Sequence, residues 1–171
     1  NRNIERHALP MKDVQEALAL RGNLLLNLEH ALDDPSCRER RTLMNVVIVG
    51  GGATGVEIAG ALSEMKRFVV PKDYPELKSR MHVYLIEGTD RLLGVMSESA
   101  SQHARKYLEE MGVRVLLGRR VNDYRDESVV LDDGETIPTA ALIWVSGVTG
   151  NYPKGIPEEN IVRGGRIATD A

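Results

Sequence analysis

The chain has 171 residues, 42% apolar and 27% charged, with a net charge of −3. That length suits one domain, or one domain with attached pieces of another, and the apolar share is enough for a sizeable core. The charge offers no electrostatic case for nucleic acid, no window approaches about 18 consecutive apolar residues, and no signal peptide is visible. Cys37 is the single cysteine, which excludes an internal disulfide framework and points to a reducing compartment. His7, His30, His82 and His103 show no ligand spacing, so no metal site is expected. Ser146 lacks the G-x-S-x-G context of a hydrolytic nucleophile.

In chain order, residues 1–10 read as a polar lead-in ending at Pro10. Asp13 with Glu16 three residues on has the form of a helix cap and its reciprocal partner. Val14, Ala17, Leu18, Leu24, Leu25, Leu28, Ala31 and Leu32 then form a helical apolar stripe. The spacing predicts a helix over 14–32, stopped by Asp33-Asp34-Pro35, with Cys37 an incidental thiol in the loop beyond.

The run Val46-Val47-Ile48-Val49 ends in Gly50-Gly51-Gly52-Ala53-Thr54-Gly55, a G-x-G-x-x-G, and turns at once to a helical period. Strand, glycine turn and helix in that order make a dinucleotide-binding fingerprint. Gly50 permits the turn, Gly52 lets backbone approach a pyrophosphate, and Gly55 lets the helix pack close to the strand. The helix begins near Ala53 and aims unpaired N–H groups and a partial positive charge at the phosphates. Val56, Ile58, Ala59, Leu62, Met65 and Val69 cover one face of this helix. Gly60 lies within it, at a cost of about 1 kcal/mol relative to alanine, which a close helix–sheet contact would explain. Pro71 predicts the helix end, and Lys72 to Arg80 reads as a polar loop.

Met81 to Glu87 reads as the second parallel strand, with Glu87 at its carboxyl end, where an acid hydrogen-bonds the adenosine ribose hydroxyls. Gly55 and Glu87 are 32 positions apart, more than the usual ~20; the 71–75 loop accounts for the excess. A carboxylate ~4 Å from a 2′-phosphate costs on the order of 4 kcal/mol at an effective dielectric of about 20. That is about a thousandfold in affinity, so NAD(H) is expected over NADP(H). Arg91 reads as a surface charge or an ion pair with Asp90 or Glu98, and is the one neighbour able to soften the preference. Glu57 has two readings: a carboxylate favoured by the helix dipole, or a group facing the nicotinamide.

Farther along, a helix is expected over 98–111, closed by Gly112 in a left-handed cap, and a third strand over 113–117. Extended pieces at 120–124 and 128–131 meet at Asp132-Asp133-Gly134, a hairpin signal, and Thr136-Ile137 starts the return. Ala141 to Val145 is another buried strand, ending in Ser146-Gly147, with Trp144 read as packing. Gly147, at a strand's carboxyl edge, lets a nicotinamide lie against backbone or serves as a plain turn. The order is β-α-β-α-β, a small antiparallel meander, then β. No residue is a convincing catalytic acid, base or nucleophile.

Residues 47–64, V-I-V-G-G-G-A-T-G-V-E-I-A-G-A-L-S-E, resemble the second, NAD-binding glycine motif of type II NADH dehydrogenases, FAD proteins with two dinucleotide-binding domains. Asn3-Ile4-Glu5 through Ala17-Leu18, Ile86-Glu87-Gly88 through Arg91-Leu92-Leu93, and Ile143 through Val148 with Gly150-Asn151 resemble further segments of that family. The resemblance implies a Rossmann-like, three-layer NAD-binding domain with a parallel sheet and a small antiparallel meander. It implies that Gly50, Gly52, Ala53, Thr54 and Gly55 hold the pyrophosphate and that Glu87 takes the adenosine ribose. Glu57, Ser146 and Gly147 fall near the nicotinamide.

It further implies that NADH passes hydride to the flavin and the flavin passes electrons to a membrane quinone. The ends of the chain read as cut from a longer polypeptide, with FAD, quinone and membrane contacts in regions absent here. On that reading, 1–41 leads in from the flavin domain, 42–150 binds NAD(H) and 151–171 returns; the fragment binds NADH without turnover. The parent is expected to be cytoplasmic, peripheral to the inner face of the cell membrane, and compatible with a homodimer. Two other readings share the fingerprint: another flavin reductase (ferredoxin, rubredoxin or disulfide reductase), and a non-catalytic NADH-sensing module.

Overall fold

A computed structural model describes residues 1–33, 36–147, 152–162 and 164–169. The chain opens with α1 (Arg2–His7), β1 (Leu9–Pro10), α2 (Val14–Asp33) and α3 (Cys37–Met44). The fingerprint follows as β2 (Asn45–Val49) and α4 (Ala53–Glu64), then a π-turn (Met65–Val69) and α5 (Val70–Asp73). Next come β3 (His82–Glu87), α6 (Glu98–Glu110) and β4 (Val113–Leu117). A meander of β5 (Val121–Arg125), β6 (Ser128–Leu131) and β7 (Thr136–Pro138) precedes β8 (Ala141–Trp144), and β9 (Ile161–Val162) pairs with β10 (Arg166–Ile167).

The main sheet has the order β1-β8-β2-β3-β4, and every pairing in it is parallel. Its strands read as continuous apolar runs because both faces are covered. Alternation within each strand divides the core in two. Val46, Ile48, Val83, Leu85, Ala141 and Ile143 face the helical layer, with Leu20, Leu24 and Leu28 of α2, Ile58 and Leu62 of α4, and Leu108 of α6. Val47, Val49, Tyr84, Ile86 and Leu142 face the other way, onto Tyr124, Val129, Leu131 and Ile137 of the meander and Ile4 of α1. The result is the expected three-layer α/β domain. A buried polar knot ties its base together: the Thr139 hydroxyl donates to Asn45 O at 2.6 Å, and Tyr124 Oη donates to Thr139 O at 2.8 Å.

Several local expectations meet a different outcome. The lead-in forms α1 and β1, and β1 becomes an edge strand beside β8. Asp13 caps α2 by accepting from Glu16 N at 2.8 Å, while Glu16 reaches back to Lys12 N rather than to Asp13 N. The helix stop at Asp34-Pro35 lies outside the described residues, as do Val148, Gly150 and Asn151 at the 150/151 boundary. Cys37 opens α3, capped by Ser36, instead of lying in a loop.

The helical path does not end before Pro71. The π-turn closes α4, and Pro71 sits in the first turn of α5, where a missing N–H costs nothing. Gly60 has no close contact, since a Cβ there meets nothing within 4 Å. The first two meander strands turn at Asp126 and Glu127, with φ of 49° and 51°. Asp133-Gly134 instead joins the second strand to the third, with Gly134 at φ 88°.

Candidate dinucleotide-binding site

The site lies along the carboxyl edge of the sheet, where the order β8-β2-β3 sets three strand ends side by side. At about 4.8 Å per strand, Glu87 at the end of β3 and Ser146 beyond β8 flank the glycine turn at roughly 10 Å from each other. Gly50 has φ 119°, and a Cβ there would meet Ser146 N at 2.9 Å. Its own N–H still donates to Ile86 O at 2.9 Å. The turn is therefore clamped between both neighbouring strands. A Cβ on Gly55 would collide with the Gly50 carbonyl oxygen, so α4 approaches the strand end as closely as backbone allows.

Gly52 differs from both. It is exposed, and a Cβ there would meet nothing within 4 Å. It caps α4 without any side-chain hydrogen bond, and the helix has no acidic residue in its first turn. The first helical bond is Val56 N to Gly52 O, which leaves the N–H groups of Ala53, Thr54 and Gly55 at an open positive helix end. An anionic phosphate fits that chemistry.

Glu87 is held from both sides. Its Oε2 accepts Gly51 N–H at 2.6 Å, and its Oε1 accepts Thr89 N–H at 2.8 Å and the Thr89 hydroxyl at 2.9 Å. Two oxygens offer about four acceptor positions, so one remains for a ligand hydroxyl. Arg91 pairs with neither Asp90 nor Glu98; its guanidinium donates to the carbonyls of Gly94 and Met96, the latter at 3.2 Å. It closes its own loop, and among the described residues Glu87 forms no ion pair with it.

On the other side of the turn, a cavity of about 620 Å3 is lined by Thr54, Trp144, Ser146, Gly147, Met11 and Asn122, among others. The volume suits a cofactor-sized group. Gly147 has φ 73°, and nothing lies within 4 Å of a Cβ position there. Thr54, Ser146 and Gly147 are thus brought together, and half-buried Trp144 is cavity wall as well as packing. Glu57 is exposed beyond the first turn of α4, so the dipole reading loses its basis, because that effect fades within one turn. It does not line the cavity.

Sequence reasoning missed four contributors. Gly51 is buried, and a Cβ on it would lie 2.7 Å from Leu92 and 2.9 Å from Glu87. Leu93 N donates to Gly51 O at 2.8 Å. Thr89 orients Glu87, and Met11 joins the cavity from just beyond the edge strand. Only Gly51 carried a signal, as a third glycine inside the motif.

Comparison with known proteins places the chain in a family. The sequence profile of pyridine nucleotide-disulphide oxidoreductases matches residues 14–171. The chain belongs to that family. It is 35% identical over 149 residues to the mitochondrial internal alternative NAD(P)H-ubiquinone oxidoreductase A1 of Solanum tuberosum, covering 86% of this chain and 30% of that one. It is 28% identical over 176 residues to the type II NADH:quinone oxidoreductase of Mycobacterium tuberculosis, covering 98% of this chain and 38% of that one. NDH2 of Plasmodium falciparum, solved in complex with NADH, superposes with a TM-score of 0.82 at 25% identity, over 87% of this chain and 32% of that one. The chain therefore spans about a third of these relatives. Among the described residues, no helix is long and apolar enough to cross a membrane.

Proposed function

We propose that this chain is the NADH-binding part of an FAD-dependent NADH dehydrogenase that passes hydride from NADH to flavin and electrons on to a quinone. The observation that carries the reading is the open, uncapped α4 terminus over Gly52, flanked by the Glu87 carboxylate on one side and a 620 Å3 cavity on the other. The family membership and the names of the relatives support it, as does the NADH complex of the Plasmodium protein.

In this reading the N–H groups of Ala53, Thr54 and Gly55, with Gly50 and Gly52 shaping the turn, hold the pyrophosphate. Glu87 accepts from the adenosine ribose and disfavours a 2′-phosphate. Ser146 and Gly147 border the nicotinamide, and Glu57 stands at the outer rim of that end. The flavin supplies the electron-accepting chemistry when bound; the residues of this chain position the nicotinamide and exclude water. Residues 1–41 and 151–171 connect to a flavin domain, and the parent protein works at a membrane surface, compatible with a homodimer.

The test is titration of the chain with NADH and with NADPH, followed by nicotinamide fluorescence. Saturable NADH binding, with NADPH at least about tenfold weaker (a difference of about 1.4 kcal/mol), is expected. Absence of binding to a folded chain sinks the site assignment. For the parent protein, a flavin absorbance band at about 450 nm and quinone-dependent NADH oxidation are expected. NADH binding without flavin would favour the sensing module instead.

A further inference from the structure

A second cleft, of about 410 Å3, opens at the other end of the strands. It lies between the end of α4, the π-turn, the loop before β3 and the last turn of α6. With six residues in β3 at about 3.3 Å each, it stands roughly 20 Å from the glycine turn. Lys66, Arg67 and Lys78 line it, together with Ser63, Ser79 and Glu110.

Charge in the cleft is unbalanced. The one carboxylate, Glu110, lies 3.8 Å from Lys106 Nζ on its own helix. Among the described residues, Arg67 and Lys78 enter no ion pair; Arg67 rests over the Phe68 ring at 5.3 Å. Lys66 Nζ has a long contact of 3.4 Å to Gly112 O. His82 and Lys66 are both pushed toward their neutral forms, first by burial and then by like charge: Arg114 for both, with Lys66 and Arg41 also acting on His82. The π-turn places two successive residues, Lys66 and Arg67, on the cleft wall, and such turns often mark functional positions.

The independent observation is Ser63. It is 1% exposed, it lines the cleft, and its Oγ has no hydrogen-bond partner. A helical serine ordinarily returns its hydroxyl proton to the carbonyl four residues back, and an unmade bond at a buried group is costly. A hydroxyl donor beneath three cations is the donor set of a phosphate group.

We infer that the cleft between Ser63, Lys66, Arg67 and Lys78 binds a phosphate group, either free phosphate or the phosphoryl end of a small metabolite, separately from the dinucleotide. The Ser63 hydroxyl donates to one oxygen, and the three cations neutralise the rest. His82, on which the Lys66 charge acts, reports occupancy.

The test is histidine-ring NMR of the whole chain at constant ionic strength, titrated with inorganic phosphate, with glycerol 3-phosphate, and with chloride. Saturable movement of the His82 resonances by phosphate in the millimolar range, with His103 unmoved, is expected. Lys66→Gln and Lys78→Gln are each expected to weaken binding about tenfold, and Ser63→Ala severalfold. Tighter binding of glycerol 3-phosphate identifies a metabolite; equal or weaker binding identifies free phosphate. A His82 response equal to that of chloride, or unchanged affinity in the double lysine variant, overturns the inference. Should the half-buried Lys66 variant fail to fold, Arg67→Gln with Lys78→Gln carries the same test from exposed positions.

Discussion

The Glu87 carboxylate accepts the Gly51 N–H at 2.6 Å, so the acid ending β3 and the middle of the glycine turn are one unit. The residue proposed to choose the cofactor also fixes the glycine loop. Glu87→Gln is therefore expected to act twice. Loss of charge removes the repulsion of a 2′-phosphate, and the NADH/NADPH affinity ratio falls by tenfold or more, within a ceiling of about a thousandfold. NADH affinity itself falls several-fold, because a neutral acceptor holds the Gly51 N–H less strongly. Parallel fluorescence titrations with both nucleotides check this; an unchanged ratio would remove Glu87 as selector.

The glycines of the fingerprint separate into two kinds that substitution can distinguish. Gly52 faces open space, whereas a Cβ on Gly55 strikes the Gly50 carbonyl. Gly52→Val is expected to abolish NADH binding and leave the denaturation midpoint nearly unchanged. Gly55→Ala is expected to cost about 1–3 kcal/mol of stability or more, the usual scale of overpacking against a part that cannot move. Chemical denaturation with NADH titration on both variants decides it.

Gly60 offers the opposite outcome. It is helical, and a Cβ added there meets nothing within 4 Å, so Gly60→Ala is expected to stabilise by about 0.5–1 kcal/mol. A loss of stability in urea unfolding would mean that the helix–sheet contact is tighter at this point than the geometry indicates.

His82 gives a pH dependence with a defined sign. Burial, followed by Arg114, Lys66 and Arg41, holds its folded-state value below the ordinary histidine range. Between that lowered value and the ordinary one near 6.5, the unfolded chain binds the proton and the folded chain does not. Stability therefore rises with pH across that window and is lost as pH falls through it. His82→Asn is expected to flatten the slope in the window below the ordinary histidine value of about 6.5, relative to the parent chain. Urea midpoints at several pH values, compared between the two proteins, measure it; equal slopes would contradict it.

Much of the site was legible because its chemistry is local. Val46 to Gly55 contains its own strand, turn and helix start, and Glu87 announces itself by ending an apolar run. Gly60 and Pro71 were misjudged for the same reason. Whether a glycine is crowded, or a proline falls in a first turn, depends on neighbours and on a π-turn that no spacing rule signals. The turn at Asp126 and Glu127 lacks glycine altogether, although its residues adopt positive φ. The glycine turn at Gly134 lies one hairpin later, between the second and third meander strands.

By itself the sequence determined the secondary elements that carry the fingerprint, since the 2-residue and 3.6-residue periods and the backbone freedom of glycine act over a few neighbours. It also pointed to a class of ligand, because a strand, a glycine turn and a helix start lie in one contiguous stretch whose chemistry suits a phosphate. Only the tertiary structure decided that β8 lies on one side of β2 and β3 on the other. That order brings Ser146 against Gly50, ties Glu87 to Gly51 and makes the Leu9–Pro10 segment an edge strand. Such pairings are chosen by which strands bury both faces between a helical layer and a meander, and distance along the chain carries no record of that choice.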